Sequence, residues 1–207
     1  MRNLTAAHSK RVKLVIFLLA LLPLLRLIER GVHDNLSANP LEFITRATGD
    51  WAMYFLCLTL LITPLRRLTQ MNWLLRLRRL LGLYVFFYAV LHFLCFIWFD
   101  HFFDLEEISK DILKRPFIAV GFTALVLLVP LVVTSTDRMM RQLGRWWGRL
   151  HRLIYVVALL AVLHFWWMKS GKNNLQEPVI IALVMILLLG SRLVFLWRSR
   201  RTPATVA

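Results

Sequence analysis

Cysteine is scarce in this chain, and the two present are poorly placed for metal or disulfide chemistry. Cys57 and Cys95 are the only ones in 207 residues. Both sit inside apolar runs and no CxxC pair exists, which excludes a zinc ribbon and a thioredoxin-like redox motif. Cysteines in such surroundings behave as small inert hydrophobes. Acidic residues are scarce too, 11 against 26 Lys and Arg, for a net charge of +15. A charge of that size suggests nucleic acid. The arginines, however, are spread between apolar runs rather than gathered in one basic segment, which is a membrane pattern and argues against a nucleic-acid partner. No internal repeat, low-complexity region or soluble domain at either end is expected. No A-x-A-like site follows the first apolar run, so that run reads as an uncleaved span rather than a signal peptide.

What remains is strongly apolar: 59% hydrophobic and 13% aromatic, well above a soluble domain. The runs predict an all-α fold, an integral membrane bundle of six transmembrane helices in a single domain over 1–207. The spans are expected at about 14–28, 51–65, 80–99, 116–133, 150–168 and 178–197, the first two short for a hydrocarbon core of about 30 Å. Arg26 in the first span is expected to snorkel to the interface, and Pro130 to kink the fourth span near its end. Between the spans lie a polar loop at 31–50, a basic loop at 66–79, an acidic loop at 100–115 with room for a short helix, a basic loop at 134–149 and a short polar turn at 169–177.

Charge sets the orientation. The N-terminal tail, the 66–79 loop, the 134–152 segment and the C-terminal tail carry 17 basic residues and one acid, Asp137. The three opposite connections carry 7 basic and 10 acidic residues. The positive-inside rule makes the first group cytoplasmic, so both the N- and C-termini are cytoplasmic.

The fifth span carries His151 and His164 near its two ends, and an ionisable residue inside a membrane is a functional candidate by default. His92 in the third span and His164 in the fifth both rise about 18–21 Å from their cytoplasmic ends. At a shared depth on neighbouring helices they have the layout of axial ligands to one haem iron; the alternative is that each hydrogen-bonds a backbone carbonyl. His151 has no histidine at its depth in the third span, where Arg79 stands instead. On a continuous helix it points about 140° away from His164. It therefore reads as a ligand with an unusual partner, a neighbour of a flavin, or an interface residue. Arg78, Arg79, Arg145, Arg149 and Arg152 cluster at the same mouth, suited either to lipid headgroups or to an anion such as a haem propionate or a flavin phosphate. Trp146, Trp147, Trp166 and Trp167 fit an aromatic belt. His101 is expected to be solvated, and His8 and His33 lie in polar ends.

The segments TSTDRMMRQLGRWWGRLHRLIYVVALLAVLHFWW (134–167), LLITPLRR (60–67) and RRLLGLYVFFYAVLH (78–92) resemble the haem-binding membrane subunits of bacterial periplasmic methionine sulfoxide reductase systems. Those subunits are part of the ferric-reductase-like transmembrane group, which includes NADPH oxidases, and the resemblance runs from about Leu14 to Trp197. It implies a multi-pass b-type cytochrome of the bacterial inner membrane, with haem b on His92, His151 and His164 and with FMN as a second cofactor. Electrons are expected to come from the quinone pool or a cytosolic flavin reductase. They would pass to a periplasmic molybdopterin-containing subunit that reduces methionine sulfoxide in oxidised envelope proteins, and that subunit, not this chain, would hold the catalytic site. One departure matters. The wider group carries two histidines on each of two spans, and this chain has Arg79 where the fourth is expected. No soluble FAD and NADPH domain like that of the oxidases is expected in the chain. The alternatives are a ferric or oxygen reductase acting on small acceptors without a protein partner, and a transporter or structural membrane protein with internally satisfied histidines.

Overall fold

A computed structural model describes residues 6–170 and 175–201; part of each expected cytoplasmic tail and the middle of the 169–177 turn fall outside these residues. Every regular element described is helical. In chain order they are α1 (Ala6–Val32), α2 (Pro40–Thr69), a 3₁₀ turn (Asn72–Leu74), α3 (Leu75–Cys95) ending in a π-helical turn (Phe96–Asp100), α4 (Leu105–Lys114), α5 (Pro116–Val133), α6 (Asp137–Leu143), α7 (Arg145–Leu150), α8 (Leu153–Ser170) and α9 (Gln176–Arg201).

Among the described residues, five helical segments are long and apolar enough to cross a membrane: Pro40–Thr69, Asn72–Asp100, Pro116–Val133, Arg145–Ser170 and Gln176–Phe195. The chain is thus a multi-pass membrane protein. Its outward faces are apolar, with Leu159, Ile186, Leu187 and Leu193 exposed as lipid contact requires. The expected first span lies within α1, but α1 does not meet the same standard. Lys10, Arg11 and Lys13 precede its apolar run, and Arg26, Glu29 and Arg30 close it. α1 is nevertheless tied to the bundle. The Tyr84 hydroxyl donates to the Phe17 carbonyl and the Tyr88 hydroxyl to the Ala20 carbonyl, both at 2.8 Å. Phe55 of α2 stacks on both tyrosine rings at 5.4 Å.

Four expectations about the connections and spans need correction. The basic segment 66–79 is not a loop, because α2 runs on to Thr69, the 3₁₀ turn takes Asn72–Leu74 and α3 starts at Leu75. The segment 31–50 is not a polar loop throughout: α2 begins at Pro40, eleven residues before the predicted span. Asn39 caps it, its side-chain oxygen accepting from the Glu42 amide at 3.3 Å, and Pro40 fills the first position, where no N–H is needed. Glu42, Arg46 and Asp50 recur every four residues and form one charged stripe, with Arg46 paired to Glu42. The basic connection at 134–149 is likewise not a loop but holds α6 and α7. The fifth span is not one continuous helix from Leu150. It breaks at His151–Arg152, where the Arg152 amide bonds to Arg149 and the Tyr155 amide to Arg152, three residues back rather than four. The short helix expected in the acidic loop is α4, capped by Asp104, whose side chain accepts from the amides of Glu106 and Glu107.

Candidate functional site

α2 packs against α3, and α5 against α8. Between these two pairs lies a cavity of about 390 Å³ into which His92 and His164 both face. Their ring centroids are 6.0 Å apart with planes at 77°. Each ring is held from behind by a neighbouring helix. His92 Nδ1 lies 2.8 Å from the Thr45 carbonyl of α2, and His164 Nδ1 lies 2.6 Å from the Phe117 carbonyl of α5. A carbonyl only accepts, so both Nδ1 atoms carry the proton and both Nε2 atoms keep a lone pair.

A glycine one turn beyond each carbonyl lets the ring lie flat against the helix. A Cβ on Gly49 would come within 3.0 Å of His92 Nδ1, and one on Gly121 within 2.7 Å of His164 Nδ1. The two half-sites therefore share one design: carbonyl at i, glycine at i+4, histidine 47 residues after the carbonyl.

The correspondence extends through the cavity and overturns the expectation of no internal repeat. Shifted by 72 positions, AVLHF at 89–93 recurs at 161–165. Of the residues lining the cavity, all but three fall into pairs with this spacing, among them Gly49 with Gly121, Ala52 with Ala124, Leu56 with Leu128 and Val85 with Val157. The site is thus made by two similar helix pairs facing each other. The two glycines and the two accepting carbonyls of the site carry no signal of their own in the sequence; the repeated pentapeptide is what points to them.

The arrangement fits a haem. An iron bound by two imidazoles at about 2 Å each, with about 1 Å more from each nitrogen to its ring centre, separates the ring centres by about 6 Å. A hydrogen bond from Nδ1 to a carbonyl, which fixes the tautomer and orients a ligating ring, is present on both sides. The cavity walls between the histidines and its deep end are apolar.

The remaining candidates stand elsewhere. His151 does not line this cavity. Its ring stacks on Trp147 with centroids 4.0 Å apart, its Nδ1 lies 3.1 Å from the Trp147 carbonyl, and its Nε2 is buried without a hydrogen-bond partner. Arg78 lies within electrostatic reach of the Tyr155 hydroxyl, which accepts from Arg192 at 2.6 Å. Arg79 is exposed and pairs with Asp137. His101 is not solvated: its side chain is 10% exposed, its ring packs against Phe96 and its Nε2 lies 3.3 Å from an Asp111 carboxylate oxygen. Both cysteines are free and half-buried.

Residues 48–162 match the family described as ferric reductase like transmembrane component. The chain is 57% identical over 190 residues to the protein-methionine-sulfoxide reductase heme-binding subunit MsrQ of Herminiimonas arsenicoxydans, covering 91% of this chain and 87% of that protein. It is 54% identical to the MsrQ of Ralstonia nicotianae, over 94% of this chain and 90% of that one, and 50% identical to that of Bordetella pertussis, over 95% and 96%. No solved structure matches.

Proposed function

The chain belongs to the family of heme-binding subunits of protein-methionine-sulfoxide reductases, within the ferric reductase like transmembrane components, and on that premise we propose that it is a b-type cytochrome of the bacterial inner membrane. It takes electrons from the quinone pool or a cytosolic flavin reductase and passes them to a periplasmic molybdopterin-containing subunit that reduces methionine sulfoxide. The observation that carries this reading is the pair of imidazoles with centroids 6.0 Å apart, each with Nδ1 committed to a carbonyl.

His92 and His164 would hold the haem iron through Nε2. Bound haem supplies the one-electron redox couple; the protein sets ligation, dielectric and access. Thr45 and Phe117 fix the two rings through their carbonyls, Gly49 and Gly121 leave room for them, and the apolar walls exclude water from the deep side. In this reading the whole chain is one domain of six spans, α1 included, with both termini cytoplasmic and the α4 end periplasmic. His151 and Arg78 lie towards the opposite, cytoplasmic end, as neighbours of the electron entry rather than ligands of this iron. Arg79 supports that end through Asp137. FMN enters through the family resemblance alone, and we assign it no residues.

The test is the visible spectrum of the purified, haem-loaded protein. The reading expects a six-coordinate low-spin haem that is lost in His92→Ala and in His164→Ala and kept in His151→Ala. An unchanged reduced α-band in both of the first two variants would reject it.

A further inference from the structure

The cavity departs from its own repeat where it carries charge. The three lining residues without a mate 72 positions away are Glu42, Asp100 and Arg115. Two of the matched pairs set a charge against an apolar residue, Arg46 against Ile118 and Asp50 against Phe122. All of these charges lie at the α4 end. The deep end, where Leu56 answers Leu128 and Val85 answers Val157, has none. A haem has the same character: a macrocycle nearly symmetric about its iron, with two carboxylates on one edge.

Resting on the haem reading above, we propose that Arg46 and Arg115 receive the two haem carboxylates, which sets the charged edge of the cofactor towards the α4 end and its apolar edge towards the floor. One guanidinium comes from each side of the histidine pair. Arg46 follows Thr45, whose carbonyl holds His92, and Arg115 stands two residues before Phe117, whose carbonyl holds His164. On α2 the guanidinium-bearing residue is three positions outward of Gly49, a rise of about 4.5 Å.

The acids nearby position these arginines without using all their donors. Arg46 pairs with Glu42 one turn away on the same helix, and Arg115 Nε lies 3.4 Å from Asp111. Partly exposed i,i+4 pairs of this kind are weak, and a guanidinium has five N–H groups to offer. Asp50 lies within electrostatic reach of Lys169 as well as Arg46, and Asp100 within reach of His101 as well as Arg115. Lys169 is buried and bonded to Glu177 at 2.6 Å. A carboxylate brought to the partly buried mouth gains charge-assisted, bidentate bonds that the existing surface pairs do not supply.

The test uses the haem-loaded full chain, native and with Arg46→Gln, Arg115→Gln and the conservative Arg46→Lys. Resonance Raman reads the propionate bending bands and the coordination state separately, and transfer of haem to apomyoglobin reads its rate of loss. The expected result is a shift of the propionate bands in both Gln variants, unchanged six-coordinate low-spin markers, and haem loss faster by about tenfold, the equivalent of about 1.4 kcal/mol, with partial recovery in Arg46→Lys. Unshifted bands together with an unchanged loss rate in both Gln variants would overturn the assignment while leaving the bis-histidine haem intact. A native protein without the low-spin markers would instead overturn the haem reading, and this assignment with it.

Discussion

A methyl group on Gly121 would stand 2.7 Å from Nδ1 of His164. No real Cβ tolerates that approach, so either α5 or the imidazole must move, and the imidazole is tethered to Phe117 by a 2.6 Å hydrogen bond. The equivalent distance from Gly49 to His92 is 3.0 Å, which a shift of a few tenths of an ångström relieves.

The two Gly→Ala substitutions should therefore differ. Each gains roughly 1 kcal/mol of helix propensity, and overpacking costs about 1–3 kcal/mol. At Gly49 the two effects nearly cancel, and haem content should stay close to native. At Gly121 the clash dominates, and haem per chain, read by the pyridine haemochrome assay, should fall several-fold. Equal haem content in the two variants would show that the glycines are not there for the rings.

Orientation is tested by labelling from outside the cell. With α1 crossing the membrane, a cysteine replacing Lys110 on α4 should react with a membrane-impermeant maleimide in intact spheroplasts. One replacing Lys10 at the start of α1 should react only after permeabilisation. Cys57 and Cys95, both half-buried, are replaced by Ala to clear the background. Labelling of both positions from outside would mean that α1 lies on the membrane and that the chain has the five spans its apolar content alone supports.

The sequence made some of this legible and hid the rest for identifiable reasons. Uninterrupted apolar runs marked the cores of α2, α3, α5, α8 and α9, and depth counting along two of them brought His92 level with His164. The first eleven residues of α2 were hidden because Glu42, Arg46 and Asp50 break the apolar run. Their four-residue spacing and the Asn39–Pro40 cap, rather than hydrophobicity, are the helix signal there. The break at His151 carries no such mark, since no proline or glycine stands between Arg149 and Arg152. It removes the continuous helix that a separation of about 140° between His151 and His164 requires. The duplication was present as two copies of AVLHF, but in two apolar spans of similar composition five matching letters are easily passed over. Only the pairing of Gly49 with Gly121 behind the two rings gives them meaning.

Pro64 has no N–H, so the Leu60 carbonyl four residues earlier in α2 loses its helical donor. Arg192 of α9, buried at 8% exposure, supplies a replacement, with Nη2 at 2.7 Å from that oxygen, and so ties α9 to α2 at this level. Arg192→Leu should leave the carbonyl unsatisfied in an apolar setting, at about 1–3 kcal/mol. Pro64→Ala restores the backbone donor. The loss on Arg192→Leu should then shrink in the Pro64→Ala background, a coupling of the kind a double-mutant cycle isolates. Thermal unfolding of the four proteins in detergent measures it. If Arg192→Leu lowers the midpoint equally with and without Pro64, the arginine is not there for the orphaned carbonyl, and its role lies with Tyr155 and Thr63 alone.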